Sequence, residues 1–361
     1  MNRYVSSLHG GRHTNEDTVA ATLGVGGTDL ECPNFPVLAK ASQSALYKHQ
    51  INISDIDTAI SRKFVHFLAL GELDGPDTIP YQTLGPQHVD TTEHRELSLA
   101  VAEQAMTLLK NEAPSVGENL MGAEMTEEAA ALLPLSKAAK IALIGPNANI
   151  TLAMLSDYAG HNKLVLNHSV YMAARAMGLA VTYTAGHDLD ISSGNKRLIP
   201  GAVAAAKAAD VAVVVLGLCA DNCIGRGRTE DEGVDRVVTT LPGAQQPLLE
   251  AVVAAQSKTV LVLINGGMLS IDWAKDHVPA ILEAYYPGQL GGDAIVNTLL
   301  GLNNPGGKTP VTWYDESFAK SRPMDSMNLD TGDGLTHMCQ QSVANVDERS
   351  ILTGMTMGSL M

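Results

Sequence analysis

The run VAVVVLGL, residues 211–218, carries no charge and no alternation of polar with apolar side chains. A strand with one face in water alternates, and a strand covered on both faces does not, so this run predicts the central strand of a parallel sheet flanked by helices. Shorter runs repeat the theme: IALIG (141–145), VTYTA (181–185), TVLVLING (259–266) and PAILEA (279–284). Alanine-rich amphipathic segments lie between them, such as GAVAAAKAAD and PGAQQPLLEAVVAAQ, in which Pro242 suits a first helical turn. Strands alternating with helices predict an α/β fold, a mostly parallel sheet sandwiched by helices, over residues 134–325.

Upstream, ISDIDTAISRKFVHFLALGELDG predicts a helix with Ser54 as N-cap and Ile56, Ile60, Phe64, Phe67 and Leu68 on one face. Gly71 suits its end. Residues 75–90 are rich in Pro and Gly and have no period, which marks a linker. The segment TTEHRELSLAVAEQAMTLLKNE then predicts a helix capped by Thr91 or Thr92. After Trp313 the pattern fails, and order is expected to end near Asp325. Four segments follow from this reading: 1–74, a linker and connecting helix over 75–133, the α/β domain over 134–325, and an irregular tail over 326–361.

A net charge of −15, from 24 Lys and Arg against 39 Asp and Glu, argues against nucleic acid as partner, because phosphates are bound mainly through Lys and Arg. No apolar run approaches the ~18 residues that a membrane span needs, and the start MNRYVSSLHGG has no apolar core of a secretory signal. Cys32, Cys219, Cys223 and Cys339 are too few for a disulfide scaffold. Cys219 and Cys223 are near enough to close a small loop, but spacing alone does not show that their Cβ vectors converge. The N-x-S/T sites at Asn52, Asn149 and Asn167 matter only in a secreted eukaryotic chain.

The stretch TEDEGVDR, residues 229–236, holds four carboxylates and follows the C-terminal end of the central strand, the edge where open α/β sheets place their sites. Calcium-loop spacing is absent from it, so no metal is expected. No nucleotide cofactor is expected either: NPGGKTP has Leu302 where a phosphate loop needs glycine, Pro310 blocks the helix that must follow, and IGPNANIT lacks lysine. What remains is a solvated loop or a segment carrying a proton donor.

TEDEGVDRVVTTLPGAQQPLLEAV, KTVLVLINGGMLSIDWAK, PAILEAYYPGQLGGDAI and NPGGKTPVTWY resemble the second domain of glycoside hydrolase family 3, of its β-xylosidase and β-glucosidase type. LGPQHVDTTEHRELSLAVAEQAMTLLKNE, LPLSKAAKIALIGPNANIT and DYAG extend the resemblance, which covers residues 13–328. It implies an exo-acting retaining glycosidase that takes terminal sugars from plant or algal oligosaccharides and is secreted. In the family a TIM-like barrel carries the nucleophilic aspartate, and the α/β sandwich lends the acid/base glutamate. The pattern E-x-x-x-x-D-R falls on Glu230, Asp235 and Arg236, which makes Glu230 the acid/base candidate, with Glu232 as the alternate.

The resemblance departs at the other carboxyl. The family's VSD motif has its nearest match in VSSLHGGRHTNED, where Ser7 stands at the acid's position, so no nucleophile is found. GVGGTDLEC resembles the last barrel strand, with Asp29 and Cys32 at family positions. A whole barrel takes about 250 residues, so residues 1–74 are expected to be a partial TIM-barrel remnant and the chain a truncated one. Apolar faces left without barrel partners imply self-association. A noncatalytic α/β module that binds carbohydrate or protein is the alternative.

Overall fold

The computed structural model describes residues 14–31, 36–75, 78–114, 130–159, 168–188, 190–220, 229–231, 236–321 and 351–352. The chain divides into two compact units that meet in sequence between Val89 and Asp90.

In the first unit, α1 (Asn15–Val19) runs into a π-helical turn (Ala20–Val25), followed by α2 (Val37–Tyr47) and α3 (Ile53–Ala69). Its core is small: Val19, Ala41, Ala45 and Ile51 are buried together. The α3 cap is Asn52 and not Ser54, because the extended backbone ends at Asn52, whose N–H donates to the Asp55 carboxylate at 2.8 Å. The expected barrel strand in GVGGTDL does not form. Gly26 N–H bonds to Ala21 O at 2.8 Å and Thr28 N–H to Thr22 O at 2.9 Å, so these two donors are spent locally. Asp29 instead pairs with Arg62 at 3.3 Å.

The second unit opens with α4 (Thr92–Ala105), whose N-cap is Thr91; its hydroxyl accepts the His94 N–H at 3.3 Å. The helix does not reach Glu112 as its pattern suggests. Met106 turns extended, and β1 (Thr107–Asn111) follows, antiparallel to β6 (Ala280–Glu283). Pairing with an open sheet edge satisfies the backbone of TLLKN, and this outweighs a modest helical preference. The sheet therefore takes one edge from the segment read as linker and connecting helix.

The other strands are β2 (Ile141–Ile144), β3 (Val181–Thr184), β4 (Val211–Gly217) and β5 (Thr259–Ile264). The order is β1-β6-β5-β4-β2-β3, and every pair except β1 with β6 is parallel. All seven residues of β4 are buried. Val213 and Val215 join one core, with α4, α5 (Val170–Ala176) and α9 (Gly291–Leu299) contributing Ala102, Ala173 and Ile295. Val214 and Leu216 join the other, where α6 (Ile199–Lys207), α7 (Gln245–Ala255) and α8 (Asp272–His277) contribute Ala202, Leu248 and Ala274.

Pro242 lies before α7 and not in its first turn, because Gly243 adopts φ 61° and interrupts the helical path. The helix starts at Gln245, whose buried amide accepts from Gly217 N–H at 2.8 Å and donates to Gly217 O at 2.9 Å. Beyond the sheet, β7 (Trp313–Tyr314) precedes α10 (Glu316–Ser321) and pairs antiparallel with β8 (Ile351–Leu352), so the tail read as irregular contributes a short strand. The rest of the tail lies outside the described residues. Among the described residues no helix is long and apolar enough to cross a membrane.

Candidate functional site

Strand β4 ends at Gly217, whose φ of 138° and close approach to β5 exclude a side chain: a Cβ there would lie 2.0 Å from Ile264 O. The chain leaves the sheet edge and returns at Thr229. Cys219 N–H donates to the Thr229 hydroxyl at 2.9 Å, and Thr229 N–H donates to Cys219 O at 3.0 Å. These two bonds join the ends of the excursion and place Glu230 at the C-terminal edge of the sheet. Cys219 is disulfide-bonded. Cys223, read as its nearest candidate, lies outside the described residues, as do Cys32 and Cys339.

The Glu230 carboxylate faces inward. Oε1 accepts from Gly266 N–H at 2.5 Å and from the Tyr286 hydroxyl at 2.5 Å, and Oε2 accepts from Gly267 N–H at 3.1 Å. Arg236 Nε lies 3.6 Å from Oε2, and the two side chains are 18% and 15% exposed. Arg236 Nη2 donates to Met268 O at 3.1 Å. A side chain at either glycine would crowd this approach. A Cβ on Gly266 would meet Glu230 Oε1 at 2.8 Å, and one on Gly267 would meet Arg236 Nη2 at 2.5 Å. Burial pushes the Tyr286 phenol up, and the Glu230 charge and hydrogen bond push it further, so Tyr286 stays a donor.

Behind this cluster sits a second acid that sequence reasoning passed over. Glu283, at the end of β6, is fully buried; its Oε1 accepts the Tyr285 N–H at 2.6 Å, and its Oε2 has no partner. Burial drives its carboxyl well above the usual carboxylate range, the Glu230 charge adds to this, and the Tyr285 N–H and the Asn265 amide oppose it. The available signal was a glutamate inside the otherwise apolar run PAILEA. Asn265 is also fully buried, with its amide donating to Gly267 O at 3.1 Å and its Oδ1 unpaired.

The structure thus gathers Glu230, Arg236, Tyr286 and Glu283 at one sheet edge. Glu232, Asp235 and Ser7 lie outside the described residues. Among the described residues no group of three His, Cys, Asp or Glu side chains is placed to hold a metal ion.

A parallel α/β sandwich that carries a carboxylate segment at the carboxyl ends of its central strands defines a site-bearing domain of the doubly covered sheet class. Residues 106–342 match the glycosyl hydrolase family 3 C-terminal domain, and the chain belongs to that family. Beta-D-xylosidase 3 of Arabidopsis thaliana is 36% identical over 322 residues, which is 88% of this chain and 37% of the relative. A probable exo-1,4-beta-xylosidase, bxlB, of Aspergillus fumigatus is 33% identical over 323 residues, 88% of this chain and 38% of the relative. Among solved structures, the GH3 exo-beta-xylosidase XlnD in complex with a xylobiose aziridine probe superimposes with a TM-score of 0.73 at 28% identity, covering 91% of this chain and 39% of that one. A β-glucosidase of Erythrobacter marinus gives a TM-score of 0.64 at 29% identity over 86% of this chain and 41% of that one. The chain therefore spans little more than a third of the length of the relatives it matches.

Proposed function

We propose that this chain supplies the acid/base part of an exo-acting retaining glycoside hydrolase of the β-xylosidase or β-glucosidase type, acting on plant or algal oligosaccharides. The observation that carries the reading is Glu230, at the start of the acid segment, seated at the ends of β4 and β5 in a chain of this family. A retaining enzyme needs two carboxyl groups about 5–5.5 Å apart. One attacks the anomeric carbon as the other gives its proton to the departing glycosidic oxygen. The second carboxylate then takes a proton from water, and the glycosyl-enzyme bond is hydrolysed.

A proton donor has to present its carboxyl to the leaving oxygen. Glu230 presents both of its oxygens to donors inside the protein. We therefore assign the proton transfer to Glu232, two residues further along the same segment, and assign the nucleophile to a part of the enzyme other than these 361 residues, since Ser7 stands at the family's acid position. A hydroxyl without a positioned base is a weak nucleophile. Secretion fits the disulfide at Cys219, because disulfides persist in oxidising compartments.

The test is an assay on nitrophenyl and alkyl β-xylosides and β-glucosides. The chain alone should turn over neither faster than its Glu232→Gln variant. A hybrid that joins residues from Gly26 onward to the preceding part of the Arabidopsis relative should hydrolyse both. Glu232→Gln in the hybrid should impair alkyl glycosides more than nitrophenyl ones, whose leaving groups need little acid help. A hybrid indifferent to Glu232, or rapid hydrolysis by the chain alone, would overturn the assignment.

A further inference from the structure

Glu230 ties together parts of the chain that are remote in sequence. Its own position is set by the Cys219–Thr229 hydrogen bonds at the end of β4, its two oxygens meet the backbone of residues 266 and 267 beyond β5, and Tyr286 reaches it from beyond β6. Arg236, at the far end of the acid segment, comes back to the same carboxylate and to Met268 O. The segment 229–236 is thus held at both ends by one side chain.

The chemistry of this arrangement is one-sided. Among the described residues the polar partners of the carboxylate are two backbone N–H groups, a phenol and a guanidinium, each placed as a donor. The backbone N–H groups of Gly266 and Gly267 have no lone pair to offer, so they fit an acceptor and not a second donor. An amide would put a donor at one of its two positions, because its NH2 is itself a donor. Arg236 is mostly buried, and among the described residues Glu230 is the carboxylate placed against its guanidinium, at 3.6 Å; a buried cation is costly to leave unpaired.

We infer that Glu230 is a positioning residue that pins the acid segment to the Gly266–Gly267 turn, and is not the group that hands its proton to the leaving oxygen. The identity of the reaction rests on the glycosidase reading above, whereas the pin itself rests on geometry alone. The glycine pair is part of the device, since a Cβ on Gly266 would crowd Glu230 Oε1 at 2.8 Å and one on Gly267 would crowd Arg236 Nη2 at 2.5 Å. Glu230 would act through the segment it holds.

The experiment has two arms. In the first, amide hydrogen exchange is followed on the full chain for the parent, Glu230→Gln, Glu232→Gln and Tyr286→Phe. Exchange at one or both of Gly266 and Gly267 should accelerate tenfold or more in Glu230→Gln and stay at the parent rate in Glu232→Gln, with the amides of β4 and β5 still protected. Tyr286→Phe keeps the carboxylate and should leave Gly267 protected, which holds the comparison open if Glu230→Gln folds poorly. Unchanged exchange at both glycines in Glu230→Gln would overturn the inference.

In the second arm, Glu230→Ala and Glu232→Ala hybrids are assayed on nitrophenyl xyloside with and without azide, which replaces water as acceptor when the base is missing. Azide should restore turnover and form xylosyl azide with Glu232→Ala, and do neither with Glu230→Ala, which keeps the Glu232 carboxylate. Azide rescue of Glu230→Ala would make Glu230 the acid/base itself and sink the inference while upholding the glycosidase. An inactive parent hybrid would count against the glycosidase reading, and the exchange arm would still decide the pin.

Discussion

The Tyr286 hydroxyl donates to Glu230 Oε1 at 2.5 Å across 56 residues of sequence. Burial and the Glu230 charge hold the phenol protonated, so it remains the donor. Hydrogen bonds to charged groups are worth about 1.5–3 kcal/mol. Tyr286→Phe removes this one and leaves the two backbone donors in place, so the variant should lose stability of that order in urea denaturation. A loss below ~0.5 kcal/mol would show that the bond is not held in solution.

The glycines at the sheet edge should rank by what a new methyl group would strike. At Gly266 it meets the ends of two side chains, Glu230 Oε1 at 2.8 Å and the Tyr286 ring at 2.9 Å. Overpacking of this kind costs about 1–3 kcal/mol. At Gly217 it meets backbone, Ile264 O at 2.0 Å, in a conformation with φ 138° that side chains avoid. Strain adds about 1–3 kcal/mol to the packing cost there. Gly217→Ala should therefore be the more destabilising of the two by equilibrium unfolding, and the reverse order would contradict the packing of β4 on β5.

Where one rule acts alone, the sequence was legible. VAVVVLGL reads as a central strand because covering both faces removes alternation, and β4 is buried at every residue. TLLKN was misread because it continues a helical pattern, and only an open edge at β6, some 170 residues away, makes a strand the better use of its backbone. The acid segment could be located from its place after β4, but not the direction that the Glu230 side chain takes. That direction depends on Gly266, Gly267 and Tyr286, whose approach to Glu230 exists only after β5 and β6 have paired. Glu283 was visible as an oddity in PAILEA, although its complete burial was not.

Helix α3 presents large apolar side chains to solvent: Phe64 is 44% exposed and Leu68 62%, with Val65 exposed beside them. Contiguous patches of this kind are unusual on monomers and favour association. The chain should self-associate at micromolar concentration in light scattering, and the double substitution Phe64→Ser, Leu68→Lys should move it towards the monomer. A monodisperse parent with no binding of a hydrophobic dye would remove the basis for this expectation.

Glu283 offers a pH test of the interior beneath the candidate site. Its folded carboxyl titrates well above the 4.5 of an ordinary glutamate, chiefly because burial disfavours the charge. Between those two values the folded chain binds a proton that the unfolded chain has released. Stability due to this group is therefore complete below pH 4.5 and falls as pH rises through the interval towards the folded value. Glutamine keeps the acceptor that Tyr285 N–H uses and carries no proton to lose. Glu283→Gln should match the parent at pH 4 and become relatively more stable as pH is raised to 7, with the gap opening only above the ordinary glutamate value. The comparison is made by urea denaturation of both proteins across that range. A gap that is the same at pH 4 and pH 7 would mean that Glu283 does not carry its proton in the folded protein, and that the unpaired Oε2 has found a donor.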